Sequence, residues 1–504
     1  MPAPSGPGMR RHFPFPAAWP PLYPAHTVSH KNFIANEWVA AATGETIDVL
    51  NPSDGQPFDA IARSGEEDVD RAVRAARAAF EGEWGQMAPA ARSRLLMRLA
   101  FALIDRQEEL AQIESADTGK PIKQARADAA AVARYFEFYA GAVDKLHGET
   151  IPYTPGFTVL TVREPHGVTG HIVPWNYPLQ IFGRSVGAAL AAGNACVVKP
   201  AEDACLSLLK VAEIAAETGL PPGALNICTG YGHEAGAALS AHPGIDHISF
   251  TGSPQTGKLV AHAAAENHVP VTLELGGKSP QIVFDDADLD AAMPVLVAAI
   301  IQNAGQTCSA GSRVLVQRGV YETVIKRLSD AFAATVTGPA AQDLDVGPLI
   351  NARQQDRVRG FLSEAESQGM KVAARGQLKD GAPAGGFYQP PVLFRDVPRQ
   401  SRLAQEEVFG PVLAAIPFDT EEQALEIANG TLYGLVAGVW TRDGARQLRL
   451  ARKLRAGQVF VNNYGAGGGV ELPFGGSRQS GYGREKGFEA LYGFTTLKTI
   501  AVRH

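Results

Sequence analysis

"VTGHIVPWNYPLQIFGRSVGAALAAGNACVVKPAE", residues 168–202, decides the fold. The apolar run 168–173 is followed by a segment that opens on Pro178 and has helical character, and then by a second apolar run, "ACVVK" at 195–199. Strand, helix, strand is the unit of a parallel α/β sheet. The alternation continues through "LNICT" (225–229), "HISF" (247–250) and "VTLEL" (271–275), at intervals of about 20–30 residues. This pattern predicts a doubly wound α/β domain, a frequent host for nucleotides. No G-x-G-x-x-G follows any of these runs, so the usual dinucleotide fingerprint is absent.

A second α/β pattern begins near residue 277, with "SPQIVF", a helix through "AAMPVLVAAIIQNAG", "RVLVQ", "PVLAAIPF" and "GLVAGVW". Upstream, "SGEEDVDRAVRAARAAF" predicts a helix capped by Ser64, and "AARSRLLMRLAFALIDRQEELAQIESA" predicts one long amphipathic helix. Neither carries a constellation that points to chemistry. "TVLTVREP" (158–165) and "LYGFTTLKTIAVRH" (491–504) are rich in β-branched residues. They fit an extra small sheet or an exposed strand pair used for subunit association.

The chain has 504 residues, enough for two or three domains. Its net charge of −6, with no dense Lys/Arg stripe, argues against nucleic acid as a partner. No apolar run is long enough to span a membrane. Four scattered cysteines, Cys196, Cys205, Cys228 and Cys308, make neither a disulfide framework nor a zinc site and suit a reducing cytoplasm. Residues 1–29 are rich in proline and lack the apolar segment of a secretory signal; they are expected to form an extended tail.

Three of the cysteines sit in apolar runs or at an apolar helix start and are expected in the core. Cys308, in "NAGQTCSAGSR", has small and polar neighbours that leave room around its sulfur. A thiolate there could act as a nucleophile. No histidine lies within twenty residues of it to serve as base. Glu274, in the apolar run "VTLEL" beside Gly276 and Gly277, is a carboxylate whose pKa desolvation should raise, which suits a general base for water. Alternatively it bonds backbone N–H groups at a strand end. Asn176 in "PWNYP" is either an oxyanion donor or an Asx turn into the helix at Pro178. Lys199 and Glu202 in "VVKPAE" lie just beyond a strand, where doubly wound sheets bind ligands, and Glu202 could accept ribose hydroxyls and repel a 2′-phosphate. "FTGSPQTG" runs from strand to helix through Gly252, Ser253 and Gly257, a place for an anion.

Together, "PWNYP", "VVKPAE", "FTGSPQTG", "LELGGKSP", "GQTCSAGSR", "EEVFGPV" and "PFGGSRQSGYGRE" resemble the aldehyde dehydrogenase superfamily in order and spacing, over roughly residues 30–504. Glu274 and Cys308 stand 34 residues apart, as in that pattern. The resemblance implies an NAD(P)-dependent, non-acylating enzyme. Its fold would comprise a Rossmann-type cofactor domain (30–146 and 166–276), an α/β catalytic domain (277–478) and a small β oligomerisation element (147–165 and 488–504). It implies Cys308 as nucleophile, Glu274 as base and Asn176 with the Cys308 backbone N–H as oxyanion hole. Pro174, Trp175, Lys199, Glu202, Gly252, Ser253, Glu407 and Phe409 would hold the cofactor, NAD by preference with NADP possible. No metal is expected, and a homodimer or homotetramer is.

The substrate would be a small aldehyde. Tyr177, Ile181 and Arg184 share one helical face. In semialdehyde-oxidising members an arginine in this stretch meets the distal carboxylate; the alternative for Arg184 is a salt bridge to the protein's own acid. The glycine-rich "NNYGAGGGVELPFGG" instead suggests a wide mouth for an aromatic or long aldehyde, so betaine-aldehyde-like or aromatic oxidation stands as the alternative within the class. Outside it stand a cysteine esterase without redox chemistry and a non-catalytic relative.

Overall fold

The structure, a computed structural model, describes residues 29–465 and 469–504. The expected tail, apart from its last residue, and positions 466–468 of the glycine-rich loop lie outside the described residues.

The run 168–173 forms the middle of an eight-stranded sheet. Across it the strands are Gly481–Tyr482, Val271–Glu274, His247–Thr251, Val168–Val173, Ala195–Pro200, Leu225–Ile227, Asn32–Ile34 and Glu37–Val39. The five central strands are parallel, and the outer ones pair antiparallel. Ala195–Pro200 is buried at every position, as a strand covered on both faces must be. From Val168–Val173 the chain builds outward through Ala195–Pro200 to Leu225–Ile227, then returns to the other side at His247–Thr251. The crevice opened by such a reversal is where ligands bind in this class of sheet.

Residues 280 onward build a seven-stranded sheet in the order Lys371–Arg375, Val392–Arg395, Val412–Phe418, Arg313–Gln317, Pro280–Val283, Val436–Trp440 and Gln458–Val461. All pairs are parallel except the first. A third sheet joins Thr495–Arg503, Phe157–Pro165 and Thr150–Ile151 antiparallel.

Two local expectations are corrected. Ser64 does not cap the Glu66–Glu81 helix: Gly65 does, its N–H donating to Asp68 at 3.2 Å, while the Ser64 hydroxyl donates to buried Asn32 at 2.8 Å. The long amphipathic segment is two helices, Pro89–Asp105 and Gln107–Thr118. The chain leaves helical geometry at Arg106 (φ −102, ψ 14), whose guanidinium reaches Glu109 and Glu217.

Asn194 fastens the large sheet to the chain end. Its Oδ1 accepts from Gly167 N at 3.0 Å, its Nδ2 donates to Ala189 O at 3.1 Å and Phe494 O at 2.9 Å, and its own carbonyl accepts from Trp84 Nε1 at 2.8 Å. Asn194→Ala strands buried backbone groups without partners, which costs about 2–4 kcal/mol. A fall of several degrees in the thermal unfolding midpoint is expected, with no change in the absorption spectrum of the native state.

Candidate active site

Four of the five parallel strands end on expected site residues: Pro174, Trp175 and Asn176 follow Val173, Lys199 and Glu202 bracket Pro200, Gly252 and Ser253 follow Thr251, and Glu274 closes its strand. The parallel direction of the strands puts these ends on one edge of the sheet, beside the reversal point.

Cys308 arrives from the second sheet. The Leu289–Ile301 helix ends, and Asn303 (φ 47), Ala304 (φ 53) and Gly305 (φ 72) follow in left-handed conformation. That region is costly for Ala and available to Gly and Asn. Gly305 is required for a second reason, since a Cβ there would stand 2.2 Å from the Gly410 carbonyl. Asn303 Nδ2 donates to Asn176 O at 2.8 Å and Gln306 O at 3.3 Å, which secures the turn. A Cβ on Gly277 would meet the Cys308 carbonyl oxygen at 2.4 Å. The small residues therefore serve close backbone packing as well as space at the sulfur.

Cys308 is half-buried and packs with Phe460 and Tyr464 against Leu435, Val436 and Phe474. Burial pushes its thiol up to about 12, and the Arg184 charge works in the opposite direction. Asn176 is 5% exposed, and its Nδ2 donates to Gln306 O at 3.0 Å, which leaves the second amide hydrogen for a ligand. This is a fixed donor, not an Asx turn.

Glu274 is 1% exposed, and neither carboxylate oxygen has a hydrogen-bond partner among the described residues. The alternative of a strand-end carboxylate bonded to backbone N–H groups is thereby set aside. Burial holds its pKa well above the usual carboxylate range, with Glu485 adding to the effect and Arg184 opposing it. An unpartnered buried carboxyl is costly and calls for an explanation beyond structure.

On the cofactor side, Lys199 Nζ pairs with Glu202 at 2.9 Å. Burial opposes the Glu202 charge, but Lys199, a backbone hydrogen bond and Arg353 together keep the carboxylate below its usual range. Ser253 caps the Pro254–Glu266 helix, accepting from Thr256 N at 3.2 Å, and is exposed at its tip. Glu407 accepts from Gly277 N at 2.9 Å, and burial pushes it up to about 7. Phe409 (φ 60) meets Trp175 edge-on at 5.4 Å between ring centroids. An acid able to accept from ribose hydroxyls, a helix N-terminus suited to phosphate and an aromatic pair suited to a planar ring make a donor set that fits a dinucleotide.

The aldehyde dehydrogenase family profile matches residues 38–500. The chain belongs to the aldehyde dehydrogenase family. It is 44% identical over 479 residues to the NADP/NAD-dependent aldehyde dehydrogenase PuuC of Escherichia coli, covering 94% of this chain and 95% of that one. The crystal structure of a Burkholderia cenocepacia protein aligns with a TM-score of 0.94 at 73% identity, covering 94% of this chain and 100% of that one. The NAD+ complex of a Bacillus cereus aldehyde dehydrogenase aligns with a TM-score of 0.92 at 42% identity, over 94% and 96% of the two chains. This aldehyde dehydrogenase is an oxidoreductase that binds NAD(P).

In the enzyme, Tyr177 donates to or accepts from Thr307 at 2.9 Å, and Ile181 is buried. Of the two readings of Arg184, substrate anchor or internal salt bridge, the structure shows the salt bridge. The Arg184 Nε lies 2.5 Å from Glu485 Oε2, Nη2 donates to Thr251 at 3.2 Å, and the guanidinium sits 4.9 Å from the Phe474 ring centroid. The charge already has a fully buried partner. Glu485, Lys120, Asn303 and Gln306 were not singled out from sequence, although Glu485 stands inside the quoted "GYGRE". Gln354 and Arg357 were also missed; they hold the carbonyls of residues 407–409 from the Ala352–Ser367 helix.

Arg184 lowers the Cys308 pKa, so removing its charge leaves less thiolate at a given pH. Arg184→Gln should slow alkylation of Cys308 by iodoacetamide at pH 8, by about tenfold for each unit by which the thiol pKa rises. An unchanged rate would separate the guanidinium from the sulfur.

Proposed function

We propose that the enzyme oxidises uncharged aromatic or aliphatic aldehydes to acids through a thiohemiacetal and a thioester on Cys308, with NAD preferred over NADP. The observation that carries the substrate class is the apolar and aromatic wall at Cys308, formed by Leu435, Phe460, Tyr464 and Phe474, next to an arginine already paired with Glu485. A carboxylated semialdehyde would have to draw Arg184 away from a buried partner, and breaking such a pair costs about 3–5 kcal/mol. Glu202, held anionic by Lys199, favours ribose hydroxyls over a 2′-phosphate.

The Cys308 thiol gives up its proton to solvent, and the thiolate sulfur adds to the aldehyde carbon as the carbonyl electrons move to oxygen. Asn176 Nδ2 and the Cys308 N–H hold the oxyanion. NAD(P), held by Lys199, Glu202, Ser253, Glu407 and Phe409, would supply the hydride acceptor that lets the C–H bond break with its electron pair as the C=O bond re-forms. Glu274 then takes a proton from water, the hydroxide attacks the thioester carbon, and the C–S bond breaks to release the acid. A base in a dry pocket is protonated at low pH and becomes competent as pH rises. The free thiols and the exposed Leu497, Ile500 and Val502 on the Thr495–Arg503 strand support a cytoplasmic homo-oligomer.

Glu274→Gln should lower steady-state turnover by at least about 10²-fold and let an acyl-enzyme accumulate. Wild-type deacylation should rise with pH as Glu274 ionises, and that rise should flatten in the variant; a normal rate without accumulation would remove Glu274 as base. NADH formation at 340 nm should favour benzaldehyde and hexanal over succinic semialdehyde in kcat/KM. A clear preference for the semialdehyde would instead make Arg184 a substrate anchor.

A further inference from the structure

The segment "ESADTGKPI", residues 114–122, lies in the upstream region without expected chemistry, yet it reaches the active site. The Gln107–Thr118 helix ends at Gly119 (φ 78), and the Ile122–Ala140 helix begins three residues later. A Cβ at Gly119 would stand 2.7 Å from Pro348 and 2.8 Å from Pro52, so only glycine makes this reversal. The turn drives Lys120 inward until its side chain is 0% exposed.

An ammonium has three donors, and all three are assigned. Lys120 Nζ donates to Glu114 Oε1 at 3.2 Å, to Asp128 Oδ2, and to the main-chain carbonyl of Asn176 at 3.0 Å. The carboxylates are fastened in turn. Glu114 Oε2 accepts from Ser207 at 2.7 Å, and Asp128 Oδ1 from Gln180 at 2.5 Å on the helix that follows Asn176. The same Nζ lies 4.4 Å from the Tyr177 ring centroid, and Tyr177 is bonded to Thr307 beside the nucleophile. Burial opposes the Lys120 charge, but Asp128 and Glu114 keep the ammonium protonated well above its usual range.

We propose that Lys120, gripped between Glu114 and Asp128, is a positioning residue for the oxyanion hole: it fixes the Asn176 peptide so that the Asn176 side-chain amide meets the developing oxyanion. The Asn176 carbonyl takes Lys120 on one side and Asn303 on the other, and the side-chain amide is left between Gln306 O and the substrate oxygen. A charged donor with no spare bond resists displacement, because moving the Asn176 carbonyl would leave a buried ammonium proton unpaired. The inference rests on Asn176 acting as the oxyanion donor.

The test uses the full-length enzyme and three reactions. Aldehyde oxidation and p-nitrophenyl acetate hydrolysis both pass through an oxyanion at the Cys308 adduct, whereas alkylation by iodoacetamide does not. Lys120→Met should slow the first two by about 10- to 100-fold per intact active site, the size of effect that a misplaced group produces. Alkylation and the Kd for NAD should stay within about threefold, a split that a merely structural role would not give. In an Asn176→Ala background, itself slowed about 10²- to 10³-fold, Lys120→Met should add little, because both act on one group. If Lys120→Met fails to fold, Asp128→Asn keeps the lysine and loosens its grip, and a smaller loss in the same two reactions is expected. Ester hydrolysis within threefold of wild type in the folded variant, a fully additive double variant, or alkylation slowed in parallel would each overturn the role. Full activity of Asn176→Ala would instead show that the oxyanion assignment has failed, and the Lys120 role with it.

Discussion

The active site depends on one peptide group, that of Asn176, where the two large sheets meet. Its carbonyl accepts from Asn303 of the nucleophile loop at 2.8 Å and from Lys120 at 3.0 Å, and its side chain donates to Gln306 O at 3.0 Å. Every bond is buried, so each is strengthened by the low local dielectric and expensive to break. Movement of one sheet against the other would break several at once. Cys308, carried by one sheet, is thereby held in register with Asn176 and Glu274, carried by the other.

Close backbone approach is the second constraint. Gly277 lies against the Cys308 carbonyl and Gly305 against Gly410, while a Cβ on Gly475 would come within 2.7 Å of Glu274 Oε1. A methyl group at any of these positions would push apart groups that must act within bonding distance. Asn303, Ala304 and Phe409, all at positive φ, place backbone strain in the Cys308 loop and the segment packed on it. Local cost is accepted where geometry must be held, and packing elsewhere offsets it.

The electrostatics follow from the same burial. Glu274 and Cys308 are both pushed toward their neutral forms, and Arg184 counteracts both while remaining tied to Glu485.

Much of this was legible in the chain. Apolar runs at βα spacing imply parallel strands, and parallel strands place their C-terminal ends together, so Asn176, Lys199, Glu202, Ser253 and Glu274 could be assigned to one edge before any coordinates. The polar setting of Cys308 and the apolar setting of Glu274 were visible as departures from their neighbours. Partnership was not legible. Arg184 could face a substrate or an internal acid, and only folding brought Glu485, 301 residues later, onto its Nε. Nothing in the sequence around Lys120 sets it apart, because a charge in a turn is usually solvated. Sequence periodicity reports which face of an element is buried; which buried polar groups meet is decided by long-range packing, and here that packing ties Asn176 to Lys120, Asn303 and Gln306 and Arg184 to Glu485.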